Sequence, residues 1–392
     1  MYLMHLPCKW LVLFALLMIG PPSTFRPAFG LVDQLKDVAE EAPQYQPVQL
    51  AGSLEFPWSF AFLPDFSIII TERMGHIQVL APGQPPRRLR GVPAVLDSGH
   101  GGLLDVAPDP RFRENRMLYL SYVHGNETSS TIRVTRARLN RAQTRLLNHH
   151  VIFERTPASQ PELFGGRMVV TDDGHLYLTL GDRREPELAQ DLRRHHGSII
   201  RIRTDGSVPR DNPFVSLPEA QPEIWSFGHR NPQGLAIHPI TGQLWSHEHG
   251  PKGGDELNLI LPGGNYGWPV ITHGIDYSGA PIGEEKEKEG MERPVRYWSP
   301  AIAPSGLAIT GAGNTTTFWV GALAGQAVVS IEMRNSIIRE RRLFERQLGR
   351  VRDVRIGPDR LLYVLTDGPA AALYRLEPAL EQAGGRAGNE GG

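Results

Sequence analysis

Between Ser226 and Pro269 the chain reads SFGHRNPQGLAIHPITGQLWSHEHGPKGGDELNLILPGGNYGWP, which crowds Arg230, Asn231, His247, Glu248, His249, Asp255, Glu256 and Tyr266 among glycines and prolines. That composition interrupts regular elements and suits a site built on loops. A guanidinium at Arg230 can clamp a carboxylate or stabilise a developing oxyanion; pairing with backbone carbonyls is the other reading of a loop arginine. In HEHGPKGGDELN the histidines lack the helical HExxH spacing of a catalytic zinc site. Carboxylates mixed with loop carbonyls at Gly250 and Pro251 are hard oxygen donors of the kind calcium takes. A solvated acidic turn is the bland alternative.

Other polar clusters carry less. His149-His150 and His195-His196 read as surface pairs, GEEKEKEG from Gly283 as a solvated loop, and Arg339 to Arg342 as too short and too mixed with acid for a nucleic-acid patch. With 41 basic and 42 acidic residues the net charge is -1, so nothing electrostatic points to nucleic acid or an anionic membrane. The one cysteine, Cys8, lies in the N-terminal leader. A mature chain without it has neither disulfides nor thiol chemistry.

The elements that must position these residues are short strands. An apolar triplet, a turn of Pro, Asp or Gly, and a second strand ending in a loop recur from Phe60, Leu103, Arg167, Gly234, Gly306 and Arg352. Each copy is a hairpin by rule. Six copies predict an all-β, six-bladed β-propeller, whose inner strands bring loops distant in sequence to one face; a two-sheet sandwich is the alternative. Residues 1–30 have the layout of a secretory signal: Lys9, an apolar run Trp10–Ile19, and a small-residue exit at Ala28–Gly30. The run falls short of the roughly 20 residues that span a bilayer. The expectation is export to the periplasm or beyond, with no stable membrane span after cleavage. Residues 31–53 form an acidic lead-in, with a helix as one reading; 54–377 the propeller; 378–392 a disordered tail.

GHRNPQGLA, EHGPKGGDELN, NYGWP, AQDLRRHHGSIIRI and GRVRDV, in this order, resemble the soluble PQQ-dependent sugar dehydrogenases of the glucose/sorbosone dehydrogenase family, the aldose sugar dehydrogenase branch above all. The resemblance runs from about Leu54 to about Glu377. It implies a six-bladed propeller that binds pyrroloquinoline quinone (PQQ) and calcium, oxidises an aldose and passes electrons to an external acceptor. In the family a histidine takes the proton of the anomeric hydroxyl, and an arginine polarises the quinone carbonyl that receives the hydride. By matching motif, Arg230 resembles that arginine and Asn231 its cofactor-contacting neighbour. Gly250 and Pro251 match the carbonyls on the cofactor's calcium, with His249 beside them. Glu256 and Tyr266 match structural calcium positions. Tyr277 matches an aromatic flank of the cofactor, and Arg350 and Arg352 the pair that grips its carboxylates.

Three positions depart from the pattern. The family's base lies in His-Phe-Gly-Gly/Ser-Arg, and here Leu163 stands in its place. His100 replaces a glutamine in Gly99–Leu104, and Ala324 replaces a lysine. Two readings follow. In one, His100 supplies the missing base from across the cleft, oriented by Glu162. In the other, the chain is a catalytically degenerate periplasmic propeller that binds a sugar or a partner.

Overall fold

The computed structural model describes residues 45–283, 285–335 and 337–379. They form six four-stranded antiparallel sheets. The first blade runs through Pro57–Phe62, Ile68–Glu72, His76–Leu80 and Arg87–Arg88, the second through Leu103–Pro108, Met117–Asn126, Ser129–Leu139 and Leu146–Glu154. The third contains Gly165–Val170, His175–Leu180, Ser198–Arg203 and Ile224–Phe227, the fourth Pro232–Ile237, Leu244–Glu248, Asp255–Ile260 and Arg296–Trp298. The fifth contains Pro304–Ala312, Thr315–Ala322, Ala327–Arg334 and Ile337–Leu343. Each predicted hairpin is the inner half of one blade. The inner strands are apolar and buried with little alternation, as in Pro57–Phe62 and Ile68–Glu72, because neighbouring blades cover both faces. Outer strands such as His76–Leu80 alternate between buried and half-buried residues.

The sixth blade corrects the expected lead-in. Its strands Val351–Ile356, Leu362–Thr366 and Ala371–Pro378 are completed by Tyr45–Leu54, which pairs antiparallel with Ala371–Pro378. Residues from Tyr45 onward are therefore a strand that joins the chain's two ends and closes the ring, not a helix outside it. The predicted signal, residues 31–44 and the tail beyond residue 379 lie outside the described residues. Among the described residues no helix is long and apolar enough to cross a membrane.

Two features prepare the site. Every inner strand has a bulge or register shift near its start: at Pro57/Ser59, Leu103/Val106, Gly165/Met168, Pro232/Gly234, Pro304/Leu307 and Val351/Asp353. A bulge bends the strand and re-aims the residues before it. Below that level the axis is closed by two acids and two arginines, all but Arg355 buried. Arg167 reaches Asp353 at 3.2 Å and Asp105 at 3.5 Å, and Arg355 reaches Asp105 at 2.8 Å and Asp353 at 3.0 Å. Charges this buried persist only when paired and hydrogen-bonded. The plug balances its own charge, so it leaves the open end of the axis as the place for a ligand.

Candidate active site

Each inner strand begins at one face of the ring, and each second strand, being antiparallel, returns there. Residues just before inner strands and just after second strands must therefore share that face. His100, Leu163, Arg230 and Ala303 come from the first set; Arg184, His249 to Gly253 and Ala324 from the second. Together with Asp255, Ile275, Tyr277 and Ser299 to Ala301 they line a cleft of about 710 Å³.

The fourth-blade wall is densely bonded. Arg230 Nη1 donates to the carbonyls of His249 at 3.1 Å and Gly250 at 2.7 Å, and its guanidinium lies 5.5 Å from the Trp268 ring centre. Trp268 Nε1 donates to Asp182 at 2.7 Å, while the Asp182 amide donates to the Arg230 carbonyl at 2.8 Å. His249 Nε2 is bonded to the Pro304 carbonyl at 2.8 Å. Burial, with Arg230 alongside, pushes that ring down to about 3, so it is neutral. Asp255 accepts from the Gly250 amide at 2.9 Å and from the Ile302 and Ala303 amides at 2.8 Å each. It staples the Gly250–Gly254 turn to the fifth blade, and burial raises its carboxyl to about 6 against those three donors. The turn requires its glycines: Gly253 and Gly254 sit at φ 83° and 71°, and a Cβ on Gly250 would collide with the backbone of both.

The opposite wall is sparser. Leu163 is buried at φ 49°, a left-handed conformation that few bulky residues adopt. Its amide donates to His100 Nδ1 at 3.4 Å. An imidazole that accepts at Nδ1 carries its proton on Nε2, so neutral His100 offers the cleft a donor. Burial pushes this ring below the ordinary histidine range, against the pull of Glu162. The expected orienting bond from Glu162 is corrected: that carboxylate is held by Arg184, at 2.7 Å from Nε and 2.6 Å from Nη2. On the fifth blade Ala324 adds only a methyl group to the cleft, and Tyr277, in the loop between the fourth blade's last two strands, stands at the rim, 63 % exposed.

Not every residue singled out in the sequence lines the cleft. Asn231 sits behind it, its Oδ1 accepting from the Gly165 amide at 3.2 Å and from Gln233 at 3.1 Å. Arg350 and Arg352 converge on one carboxylate, Asp367, at 2.9 Å and 3.2 Å. Burial alone would raise Asp367; the two arginines outweigh it and hold it below the ordinary range. Glu256 and Tyr266 line a separate pocket of about 10 Å³ behind Arg230, together with Glu248 and Gly228. Burial and the Glu248 charge push the Glu256 carboxyl well up, as a like charge beside a buried acid does. The Tyr266 hydroxyl donates to the Leu259 carbonyl at 2.5 Å and accepts from the Leu261 amide at 2.8 Å. Any contribution of Tyr266 to a metal therefore falls to its carbonyl. Among the described residues no group of three His, Cys, Asp or Glu side chains is placed to hold a metal.

Sequence reasoning passed over Arg184, Lys252 and Asp367. Arg184 and Asp367 follow the second strands of the third and sixth blades, and Lys252 sits in the turn after the fourth blade's second strand, so the return rule would have found all three. His195 and His196, expected at the surface, are buried. His195 pairs with Glu223 at 3.3 Å, and His196 lies 2.5 Å from Arg155 and is pushed down to about 3, chiefly by burial.

The chain matches the glucose/sorbosone dehydrogenase family over residues 54–375. Aldose sugar dehydrogenase YliI of Escherichia coli is 38% identical over 340 residues, which cover 84% of this chain and 92% of that protein. The crystal structure of the soluble aldose sugar dehydrogenase from Escherichia coli in the apo-form aligns with a TM-score of 0.82 at 36% identity, covering 86% of this chain and 100% of the other. The PQQ-bound form of aldose sugar dehydrogenase from Streptomyces coelicolor aligns with a TM-score of 0.72 at 27% identity, covering 86% and 99%.

Proposed function

Because the chain belongs to the glucose/sorbosone dehydrogenase family, we propose that it oxidises the anomeric CH–OH of an aldose to a lactone, with PQQ in the cleft and an external electron acceptor. The observation that carries this reading is the arrangement of arginines. Arg230, on the cleft wall, is bonded to carbonyl oxygens alone through Nη1, and Arg352, set behind the lining and sharing the single carboxylate of Asp367 with Arg350, is near enough to disfavour protonation of His100 and His249 in the cleft. Such a surplus of permanent positive charge fits a ligand with three carboxylates. The PQQ-bound relative supports the same cofactor. Calcium fits less completely. The Gly250 and Pro251 carbonyls supply two of the 6–8 oxygens calcium takes, leaving the rest to ligand and water. Glu256 and the Tyr266 carbonyl would offer a second place for a cation, in the small pocket behind Arg230.

When bound, the quinone supplies the two-electron acceptor for the hydride on the anomeric carbon. The chain supplies position and charge. Arg230, fixed by two carbonyls, keeps a cation on the fourth-blade wall. His100 presents Nε2–H from the opposite side, the kind of donor a glutamine amide would offer. Leu163 has no lone pair, and His100 Nδ1 is committed to the Leu163 amide. Asp255 accepts three amides, Glu162 is held by Arg184 and His249 Nε2 is bonded to the Pro304 carbonyl, so proton removal falls to solvent and turnover is slow, rising with hydroxide concentration. General-base catalysis is typically worth about 10²–10⁴-fold, which sets the scale of the deficit. The N-terminal leader supports action in the periplasm or outside the cell.

The test is reconstitution with PQQ and calcium, followed by calorimetry of PQQ binding and by aldose-dependent dye reduction. No PQQ binding with calcium present sinks the proposal. Binding of PQQ and sugar without dye reduction at any pH would make the propeller a binding protein.

A further inference from the structure

Ser226, His229 and Glu248 are linked in the order of a hydrolytic triad, yet they cannot be one. Ser226 Oγ lies 2.9 Å from His229 Nε2, and His229 Nδ1 lies 2.8 Å from Glu248 Oε1. Ser226 and His229 are both 0% exposed, so no substrate reaches the hydroxyl. The chain of bonds leads elsewhere. Glu248 Oε2 accepts the backbone amide of Arg230 at 2.5 Å, while the Arg230 guanidinium is held by the carbonyls of the next two residues, His249 and Gly250. Three consecutive residues thus grip Arg230 at both ends. His229 in turn is stacked on Tyr266, with ring centres 4.5 Å apart and an interplanar angle of 18°.

We propose that Glu248 is a positioning residue that fixes the backbone of Arg230, and that the buried Ser226–His229 relay serves to orient its carboxylate. With His229 Nδ1–H and, at 3.4 Å, Asn258 Nδ2 donating to Oε1, only Oε2 is left to meet Arg230, and a side chain must have the full reach of glutamate to serve the donors on both oxygens. The carboxylate also lines the small pocket it shares with Glu256 and Tyr266. It therefore ties that pocket to the cleft. The proposal rests, for its effect on ligand binding, on the reading that Arg230 faces PQQ.

Two variants of the full chain separate position from charge. Glu248→Gln keeps length and one acceptor oxygen. His229 can answer by changing tautomer, accepting from the new amide at Nδ1 and donating to Ser226 at Nε2. Glu248→Asp keeps the charge but is one methylene short. Positioning predicts that the Arg230 amide, read by hydrogen exchange, stays protected in Glu248→Gln and loses protection in Glu248→Asp. It also predicts that PQQ affinity, measured by calorimetry with calcium present, stays within about threefold in the glutamine variant. In the aspartate variant affinity falls about 10-fold or more, the scale of one lost hydrogen bond to a charged group. The reverse ranking, with aspartate the milder change, overturns the proposal in favour of a charge effect. Equal exchange in both variants and the wild type overturns it outright. If the exchange pattern holds but the wild type does not bind PQQ, the clamp stands and the functional reading fails.

Discussion

On the fourth-blade side of the cleft, Arg230, His249 and Asp255 each have fixed partners at 2.7–3.2 Å, several of them backbone groups of the same turn. On the second- and third-blade side, the His100 side chain has one bond, at 3.4 Å, its amide donates to the Pro161 carbonyl at 3.0 Å, and Leu163 sits in a left-handed conformation. The first wall is pre-organised, since its groups have little freedom left to lose when a ligand arrives. The second meets the ligand through few side-chain bonds, and two of the three departures from the family pattern, His100 and Leu163, fall there; the third, Ala324, is on the fifth blade, where its amide donates to the Ile302 carbonyl at 3.0 Å. A site can thus keep its electrostatic half intact while its proton-transfer half changes, because Arg230 precedes the inner strand of the fourth blade while His100 and Leu163 precede those of the second and third.

The largest effect should come from breaking the bonded wall. Arg230→Met removes the cation and both carbonyl bonds, and loss of one such electrostatic group costs about 10²–10³ in kcat. Steady-state dye reduction with saturating sugar checks this; an unchanged kcat would mean that the wall is structural only. The next test fills the sparse wall. Leu163→His should raise kcat about 10²-fold, the lower end of what a positioned base supplies. Histidine is also better tolerated than leucine at positive φ, so the melting temperature should not fall. With the base installed, the pH–rate profile should change from a steady rise to a plateau above the imidazole pKa. No gain in rate would show that the left-handed backbone at 163 does not aim a side chain at the reacting atoms.

Rigidity on the bonded side carries a pH liability. His247, one residue before Glu248, is fully buried with Nε2 on the Gly306 carbonyl at 3.1 Å, and burial pushes it down to about 4 from 6.5. The folded state resists its protonation and the unfolded state does not. The contribution of neutral His247 to stability is therefore complete above pH 6.5 and is lost as pH falls through the window down to about 4. At 1.36 kcal/mol per unit the loss is roughly 3 kcal/mol. Denaturant melts of the wild type and His247→Gln across this window check it: the variant should lose about a third of the histidine slope, since His196 and His249, each pushed down to about 3, share the window. Equal slopes would place the acid sensitivity elsewhere.

The fold was legible because a propeller blade repeats its inner hairpin, and GHLYLTLGD or DRLLYVLTD announces a strand pair wherever it falls. Ring closure was not. Tyr45–Leu54 is mostly half-buried and exposed, so its sequence lacks the apolar run of an inner strand, and its partner lies more than 300 residues away. Arg230, His249 and Gly250 were legible as a cluster because one loop carries them all. Asp367 and Arg184 were not, since each is an ordinary charged residue made significant only by where its strand ends. The tautomer of His100 was beyond the sequence altogether: it depends on a backbone amide 63 residues away.

That tautomer yields the smallest predicted effect. If His100 serves as a donor from Nε2, His100→Gln keeps a donor in the same place, and kcat should change by less than about threefold, the low end of the net worth of one hydrogen bond. His100→Leu removes the donor and should raise KM for the sugar, or the Kd for PQQ, by about 10-fold, again the scale of one hydrogen bond. If His100 were instead the base relocated across the cleft, the two variants would behave alike, each losing the 10²-fold or more that a base contributes. In the double variant Leu163→His, His100→Gln the two readings diverge further. A donor at position 100 leaves the gain from the new histidine intact, because the proton then goes to position 163. A base at position 100 predicts that a new base merely replaces a lost one, with no net gain over the wild type.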